Sequence, residues 1–131
     1  MQNILVTGGL GYIGSHTVID LLEKGYNVII LDNCSNSSEN IIDRIKLITK
    51  KNLSFYRIDI CDNISLEKIF LKYHIHSIIH FAALKSIPDS FKNTEIYFKN
   101  NVGGLLNVLD LAMKYNVKNF VFSSSVIPSS K

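Results

Sequence analysis

With 131 residues the chain is long enough for one domain, burying roughly two thirds of its unfolded surface, and too short for two. It is 47% hydrophobic and 19% charged, as globular proteins are, and its net charge of +3 comes from scattered lysines with Arg44 and Arg57 as the only arginines. That pattern does not indicate nucleic-acid binding. The first apolar run starts at Asn3 with no charged leader or long apolar core before it, so no membrane partner and no secretory signal are expected, and the protein is read as cytoplasmic.

Asn3 to Thr7 reads as a short buried strand, and Tyr12 to Lys24 as a helix with Ile13, Val18, Leu21 and Leu22 at helical spacing. Between them, Gly8, Gly11 and Gly14 form G-x-x-G-x-x-G, and Gly9, Gly11 and Gly14 also satisfy G-x-G-x-x-G. Glycines so placed permit a tight turn, close approach of backbone to a pyrophosphate, and close packing of helix on strand. The helix N-terminus adds unpaired N–H groups and a partial positive charge. A glycine turn alone can be a plain strand-to-helix connection. The next strand, Asn27 to Leu31, ends at Asp32, 18 positions beyond Gly14, where a carboxylate is placed to accept hydrogen bonds from the adenosine ribose hydroxyls. That charge would repel a 2′-phosphate, and Asn33 to Ser37 contain no arginine, so NAD is favoured over NADP as the cofactor.

Glu39 to Lys50 follows as a helix with Ile41, Ile42, Ile45 and Ile48 on one face, and Lys50-Lys51 at its end complement the helix dipole. Leu53 to Ile58 is a third strand ending at Asp59, Ile64 to Tyr73 a helix, and Ser77 to Phe81 a fourth strand followed by Ala82 and Ala83. A long helix runs from about Thr94 to Tyr115 with Val102, Leu105, Leu106, Leu109 and Met113. Gly103-Gly104 should weaken it by roughly 1 kcal/mol per glycine unless close packing is needed there. A fifth strand, Asn119 to Phe122, leads into Ser123-Ser124-Ser125. The alternation predicts an α/β fold, a Rossmann-type doubly wound parallel sheet of about five strands in the order 3-2-1-4-5. Asp32, Asp59, Ala82, Ala83 and Ser123 then recur at strand C-terminal ends, where such sheets bind ligands. Phe120, Val121 and Phe122 would lie on an uncovered sheet edge prone to association. Cys34 and Cys61 lack the histidine spacing of a zinc site, so no metal is expected. His80, inside an apolar strand, reads as a satisfied core imidazole.

Several separate stretches carry a resemblance. They are Gly11-Tyr12-Ile13-Gly14-Ser15-His16-Thr17, Leu31-Asp32-Asn33 with Asn36-Ser37, His80-Phe81-Ala82-Ala83-Leu84-Lys85-Ser86, Asn100-Asn101-Val102, and Lys118 to Ser125. Together they resemble the extended short-chain dehydrogenase/reductase family, in its epimerase branch that interconverts UDP-glucose and UDP-galactose. The resemblance implies a permanently bound NAD that takes a hydride from C4 of the hexose and returns it to the other face of a 4-keto intermediate. It implies Gly8, Gly11, Tyr12, Ile13 and Gly14 at the pyrophosphate, and Asp32, Asn33, Asn36 and Ser37 around the adenosine ribose and phosphate. Asp59 and Ile60 would meet the adenine, while Phe81, Ala82 and Lys85 run toward the nicotinamide and Asn100 is a further contact. Ser125 would be the hydroxyl at the sugar's reacting oxygen. A UDP-sugar substrate and a homodimer in the full-length protein are implied as well.

The family's general base is a tyrosine with a lysine four residues on, and none of Tyr12, Tyr26, Tyr56, Tyr73, Tyr97 or Tyr115 has one. The expectation is therefore that residues 1–131 form the N-terminal, NAD-binding portion of the enzyme, without the substrate domain and not catalytically competent alone. Two other readings stand beside it: a non-catalytic NAD-binding or regulatory module, and another sugar-nucleotide enzyme, a dehydratase or epimerase.

Overall fold

A computed structural model of the chain describes residues 2–8, 12–32, 40–82 and 94–124, with the backbone alone at 12, 13, 82, 94–101, 123 and 124. Five strands, β1 (Asn3–Thr7), β2 (Asn27–Leu31), β3 (Ser54–Tyr56), β4 (Ile75–Ala82) and β5 (Asn119–Ser124), form one parallel sheet in the order β3-β2-β1-β4-β5. Among the described residues four helices accompany them: α1 (Tyr12–Glu23), α2 (Asn40–Thr49), α3 (Asn63–Lys72) and α4 (Thr94–Lys114). The predicted order and both central strands agree with this architecture.

The central strands are continuously apolar because both faces of the sheet are covered. On one face Ile4, Val6, Val28, Ile30 and Phe81 pack against Val18 and Leu22 of α1 and Ile42 and Ile45 of α2. On the other, Leu5, Ile29, Leu31 and Ile78 pack against Leu66, Ile69 and Phe70 of α3 and Val108, Leu111 and Ala112 of α4. Burying each such side chain contributes on the order of 2 kcal/mol. The side chain of Asp62 accepts from the Ser65 N–H to start α3, and Lys50, in the left-handed region at φ 57°, closes α2 with its N–H on the Lys46 carbonyl. Across the outer surface the Glu67 carboxylate ties α3 to the end of α4, accepting from Lys114 at 2.6 Å and from the Tyr115 hydroxyl at 2.7 Å.

Three details depart from the sequence reading. First, the ladder of β3 covers only Ser54–Tyr56, so Asp59 lies three residues beyond the strand. An edge strand is paired on one side only, and here the chain leaves the ladder for a turn in which Asp62 N–H bonds the Asp59 carbonyl and Cys61 N–H the Asp59 carboxylate. Second, Ile48 is exposed, as is its neighbour Leu47, because α2 meets the core through Ile42 and Ile45 and its last turn lies beyond that contact. Third, α4 buries Gly104, Val108, Leu111 and Ala112 and leaves Val102, Leu106 and Met113 exposed. Its apolar residues spread well beyond the width of one buried stripe, with Asn107, Asp110 and Lys114 on the remaining side, so periodicity alone does not fix which of them are buried. Gly104 lies on the buried side, where a Cβ would stand 2.6 Å from Ile60 Cγ1 and Cδ1, so its absence leaves room for the Ile60 side chain. A Cβ on Gly103 would meet nothing.

β4 begins two residues earlier than expected and carries a register shift. Asn3 pairs with Ile75 but Ile4 with Ser77, leaving His76 as an extra residue whose ring bonds the Ser77 hydroxyl at 2.7 Å. At the far edge, Val121 and Phe122 of β5 are each about half exposed, and among the described residues β5 has a strand on one side only. No charge interrupts β5 to discourage edge pairing. Val121→Lys is expected to shift the 131-residue chain from associated species toward monomer in analytical ultracentrifugation. An unchanged size distribution would clear the β5 edge of that role.

Candidate nucleotide-binding site

The ladder continues one residue past the ends of two central strands. Gly8 N–H donates to the Leu31 carbonyl at 2.8 Å, and Asp32 N–H to the Tyr56 carbonyl at 3.2 Å. These bonds fix the start of the glycine turn against the end of β2, and the half-buried Asp32 against the end of β3. The backbones of Gly8 and Asp32 therefore stand one strand apart, roughly 5 Å, on the same edge of the sheet.

Gly8 has a φ of 76°, in the region that only glycine adopts freely. A Cβ there would stand 2.9 Å from the Phe81 carbonyl oxygen and 3.2 Å from Phe81 Cβ, so the position also requires the missing side chain. Gly14 is buried in the first turn of α1, which is how a glycine serves close packing of helix on sheet. The first turn of an α-helix carries backbone N–H donors that do not bond within the helix. An anion bound there gains from those donors and from the helix dipole.

Beneath this edge lies a buried polar pair. Thr7 and His80, 2% and 3% exposed, face each other across β1 and β4, with Oγ1 and Nδ1 2.6 Å apart. The imidazole stacks on Phe120 and Phe122 of β5 at centroid distances of 6.3 and 5.7 Å. Burial lowers its pKa to about 4, so the ring is neutral near pH 7. The satisfied core histidine expected from sequence is thus observed. Its partner Thr7 was the unanticipated member, and the signal for it was a hydroxyl at the last position of a buried strand.

Of the residues expected at the site, Gly8, Gly14, Asp32, Asp59, Ile60 and Phe81 are described in full. Gly8, Asp32 and the Asp59–Ile60 turn follow β1, β2 and β3 in that spatial order. Phe81 puts its side chain into the core under α1 and α2 and presents its backbone to Gly8. Tyr12 and Ile13 open α1, Ala82 ends β4, and Asn100 lies within α4. Gly9, Gly11, Asn33, Asn36, Ser37, Ala83, Lys85 and Ser125 lie outside the described residues. Among the described residues no cluster of ligating side chains could hold a metal, and no helix is long and apolar enough to cross a membrane.

The fit to a dinucleotide rests on three features. They are a glycine whose Cβ would be blocked, a helix that follows it, and an aspartate at the end of the neighbouring strand. Together they define a nucleotide-binding domain of the doubly wound α/β class.

Comparison with known proteins agrees. The sequence model of the GDP-mannose 4,6 dehydratase family matches residues 5–126, and the chain belongs to that family. It is 51% identical over 122 residues to UDP-glucose 4-epimerase of Haemophilus influenzae, and 50% identical over 125 residues to the bifunctional protein GAL10 of Pachysolen tannophilus. These alignments cover 93% and 95% of the chain but only 36% and 18% of those relatives. The crystal structure of UDP-glucose 4-epimerase from Bifidobacterium longum, in complex with NAD+ and UDP, superposes with a TM-score of 0.90 at 42% identity. That match covers 95% of this chain and 37% of that one. The chain thus spans about a third or less of the length of these relatives.

Proposed function

We propose that residues 1–131 form the NAD-binding, N-terminal portion of a UDP-glucose 4-epimerase. The observation that carries the reading is the fixed pair of Gly8 and Asp32, one strand apart at the sheet's C-terminal edge, in a chain about half identical to such enzymes. In this reading Gly8, Gly11, Tyr12, Ile13 and Gly14 hold the pyrophosphate, and Asp32, Asn33, Asn36 and Ser37 hold the adenosine ribose and phosphate. Asp59 and Ile60 meet the adenine, while Phe81, Ala82, Lys85 and Asn100 guide the cofactor toward the sugar. The chemistry that bound NAD supplies is reversible hydride acceptance at C4 of the hexose of a UDP-sugar, through a 4-keto sugar. Ser125 donates a hydrogen bond to the reacting oxygen. A general base of the Tyr-x-x-x-Lys type is not among these residues, and a missing base costs roughly 10²- to 10⁴-fold in rate. The 131-residue chain is therefore proposed to bind NAD without turning over UDP-galactose, and the complete enzyme to act as a cytoplasmic homodimer. The family match by a dehydratase model supports a second reading, in which the complete protein is another sugar-nucleotide enzyme on the same cofactor frame.

The test is the melting temperature with NAD and with NADP. A ligand at a hundred times its Kd adds about 2.7 kcal/mol, or several degrees. A rise with NAD and little with NADP is expected, and a cooperative melt indifferent to NAD would refute the reading. Asp32→Asn, which keeps the side chain's size and removes its charge, is expected to narrow the difference between the two cofactors. An unchanged preference would remove Asp32 from cofactor selection.

A further inference from the structure

The turn between β3 and α3 is held from the side by α4. Asn107 Nδ2 donates to the Ile60 carbonyl at 3.0 Å, and Asn63 Nδ2 donates to Asn107 Oδ1 at 3.3 Å. One helical turn earlier, Gly104 leaves the space that the Ile60 side chain fills. The amide of Asn107 and the absent side chain of Gly104 thus grip the same residue, by its carbonyl and by its apolar end. Inside the turn, the Asp59 carboxylate accepts from Cys61 N–H at 2.9 Å and the Asp59 carbonyl from Asp62 N–H at 2.8 Å.

The sheet order shows what this turn faces. The glycine turn follows β1, Asp32 follows β2, and the Asp59–Ile60 turn follows β3, on one edge and in the spatial order β1, β2, β3. A dinucleotide with its pyrophosphate at the first and its ribose at the second has its base directed toward the third. We infer that Asn107, backed by Gly104, is a positioning residue for adenine recognition, holding the Asp59–Ile60 turn where it meets the base. This rests on the proposed NAD site.

The test compares binding of NAD with that of nicotinamide hypoxanthine dinucleotide, in which an oxygen replaces the exocyclic amine of adenine. A carboxylate at Asp59 accepts from the amine and repels the oxygen, so the unmodified protein should bind NAD about tenfold or more tightly, the size of one charge-assisted hydrogen bond. Asn107→Ala removes the clamp yet improves helix propensity, so it should keep the fold. Asn107→Asp keeps the size and sets an oxygen against the Ile60 carbonyl. Both variants are expected to bring the ratio of the two dissociation constants close to one. A role limited to overall stability would weaken both ligands alike and leave the ratio unchanged, which would overturn the inference. If the unmodified protein itself fails to prefer NAD, the adenine site at Asp59 is wrong and the inference falls with it.

Discussion

Gly8→Ala is expected to be the most damaging small substitution in the glycine turn, lowering stability by about 3 kcal/mol and the melting temperature by about 10 °C. Two costs add. A residue with a Cβ pays on the order of 1–2 kcal/mol to hold a left-handed φ such as the 76° of Gly8. The added methyl also meets the Phe81 carbonyl oxygen at 2.9 Å, and that atom is backbone of a central strand with little freedom to move away. If the chain relieves the clash by shifting the turn, the N–H of Gly8 leaves the Leu31 carbonyl and the pyrophosphate contact is misplaced. NAD affinity should therefore fall by more than tenfold even where the variant remains folded. A Gly8→Ala variant with the parent's melting curve and NAD affinity would show that the turn tolerates a different backbone path.

The second large effect is a pH dependence carried by His80. Its folded pKa of about 4 lies below the 6.5 of an exposed histidine, so the folded state favours the neutral ring. The unfolded chain takes up a proton as pH falls through 6.5, and the folded chain does so only near 4. Stability from this group is therefore complete above pH 6.5, declines between 6.5 and 4, and is flat below. The total is about 3 kcal/mol. Half-buried Glu67 and exposed Asp62, whose pKa values are lowered by hydrogen bonds from Lys114 and Ser65 respectively, weaken the fold only as the pH falls into the ordinary carboxylate range and below. Chemical denaturation across pH 4 to 7 separates the two. In a Thr7→Val, His80→Phe double variant, which replaces the hydrogen-bonded pair with apolar groups and keeps an aromatic ring beside Phe120 and Phe122, the slope between 6.5 and 4 should largely disappear. Thr7→Val alone should cost about 1–3 kcal/mol at neutral pH, because it leaves His80 Nδ1 buried without a partner. A slope that survives in the double variant would assign it to other groups.

The parts of this fold that were legible in sequence are those where local and global demands coincide. Asn3–Thr7 and Asn27–Leu31 are short apolar runs between a glycine turn, a helix and an aspartate, and burial on both faces is the arrangement that suits them. Gly8 and Asp32 were legible because the proposed nucleotide, with its phosphate and ribose, would set their spacing from outside the protein. The end of β3 was not, because an edge strand's length depends on a single neighbour and on the side-chain bonds of the Asp59 turn. The face of α4 was illegible for a different reason. Leu105, Leu106, Val108, Leu109 and Leu111 spread over more of the helix than one buried stripe takes, and which of them are buried depends on the core cluster they meet and on partners such as Ile60, which fills the space at Gly104 from more than forty positions away. Asn107 escaped notice likewise, since an asparagine in mid-helix has no sequence signature until the carbonyl it binds is placed opposite.

The extra residue in β4 has a consequence for how this sheet accommodates change. Because His76 stands outside the pairing with β1, Asn3↔Ile75 below it and Ile4↔Ser77 above it are already separate registers on that side of β4. A chain lacking His76 would lose the bond from Lys118 N–H to its carbonyl but keep the β1–β4 pairs above the break, with Thr7 still opposite His80 and Phe81 still beside Gly8. Insertions and deletions at the bottom of the strand are thus absorbed before they reach the top. The crevice is insulated from the length of the loop that feeds β4, and the α3–β4 connection is free to vary without retuning the cofactor site.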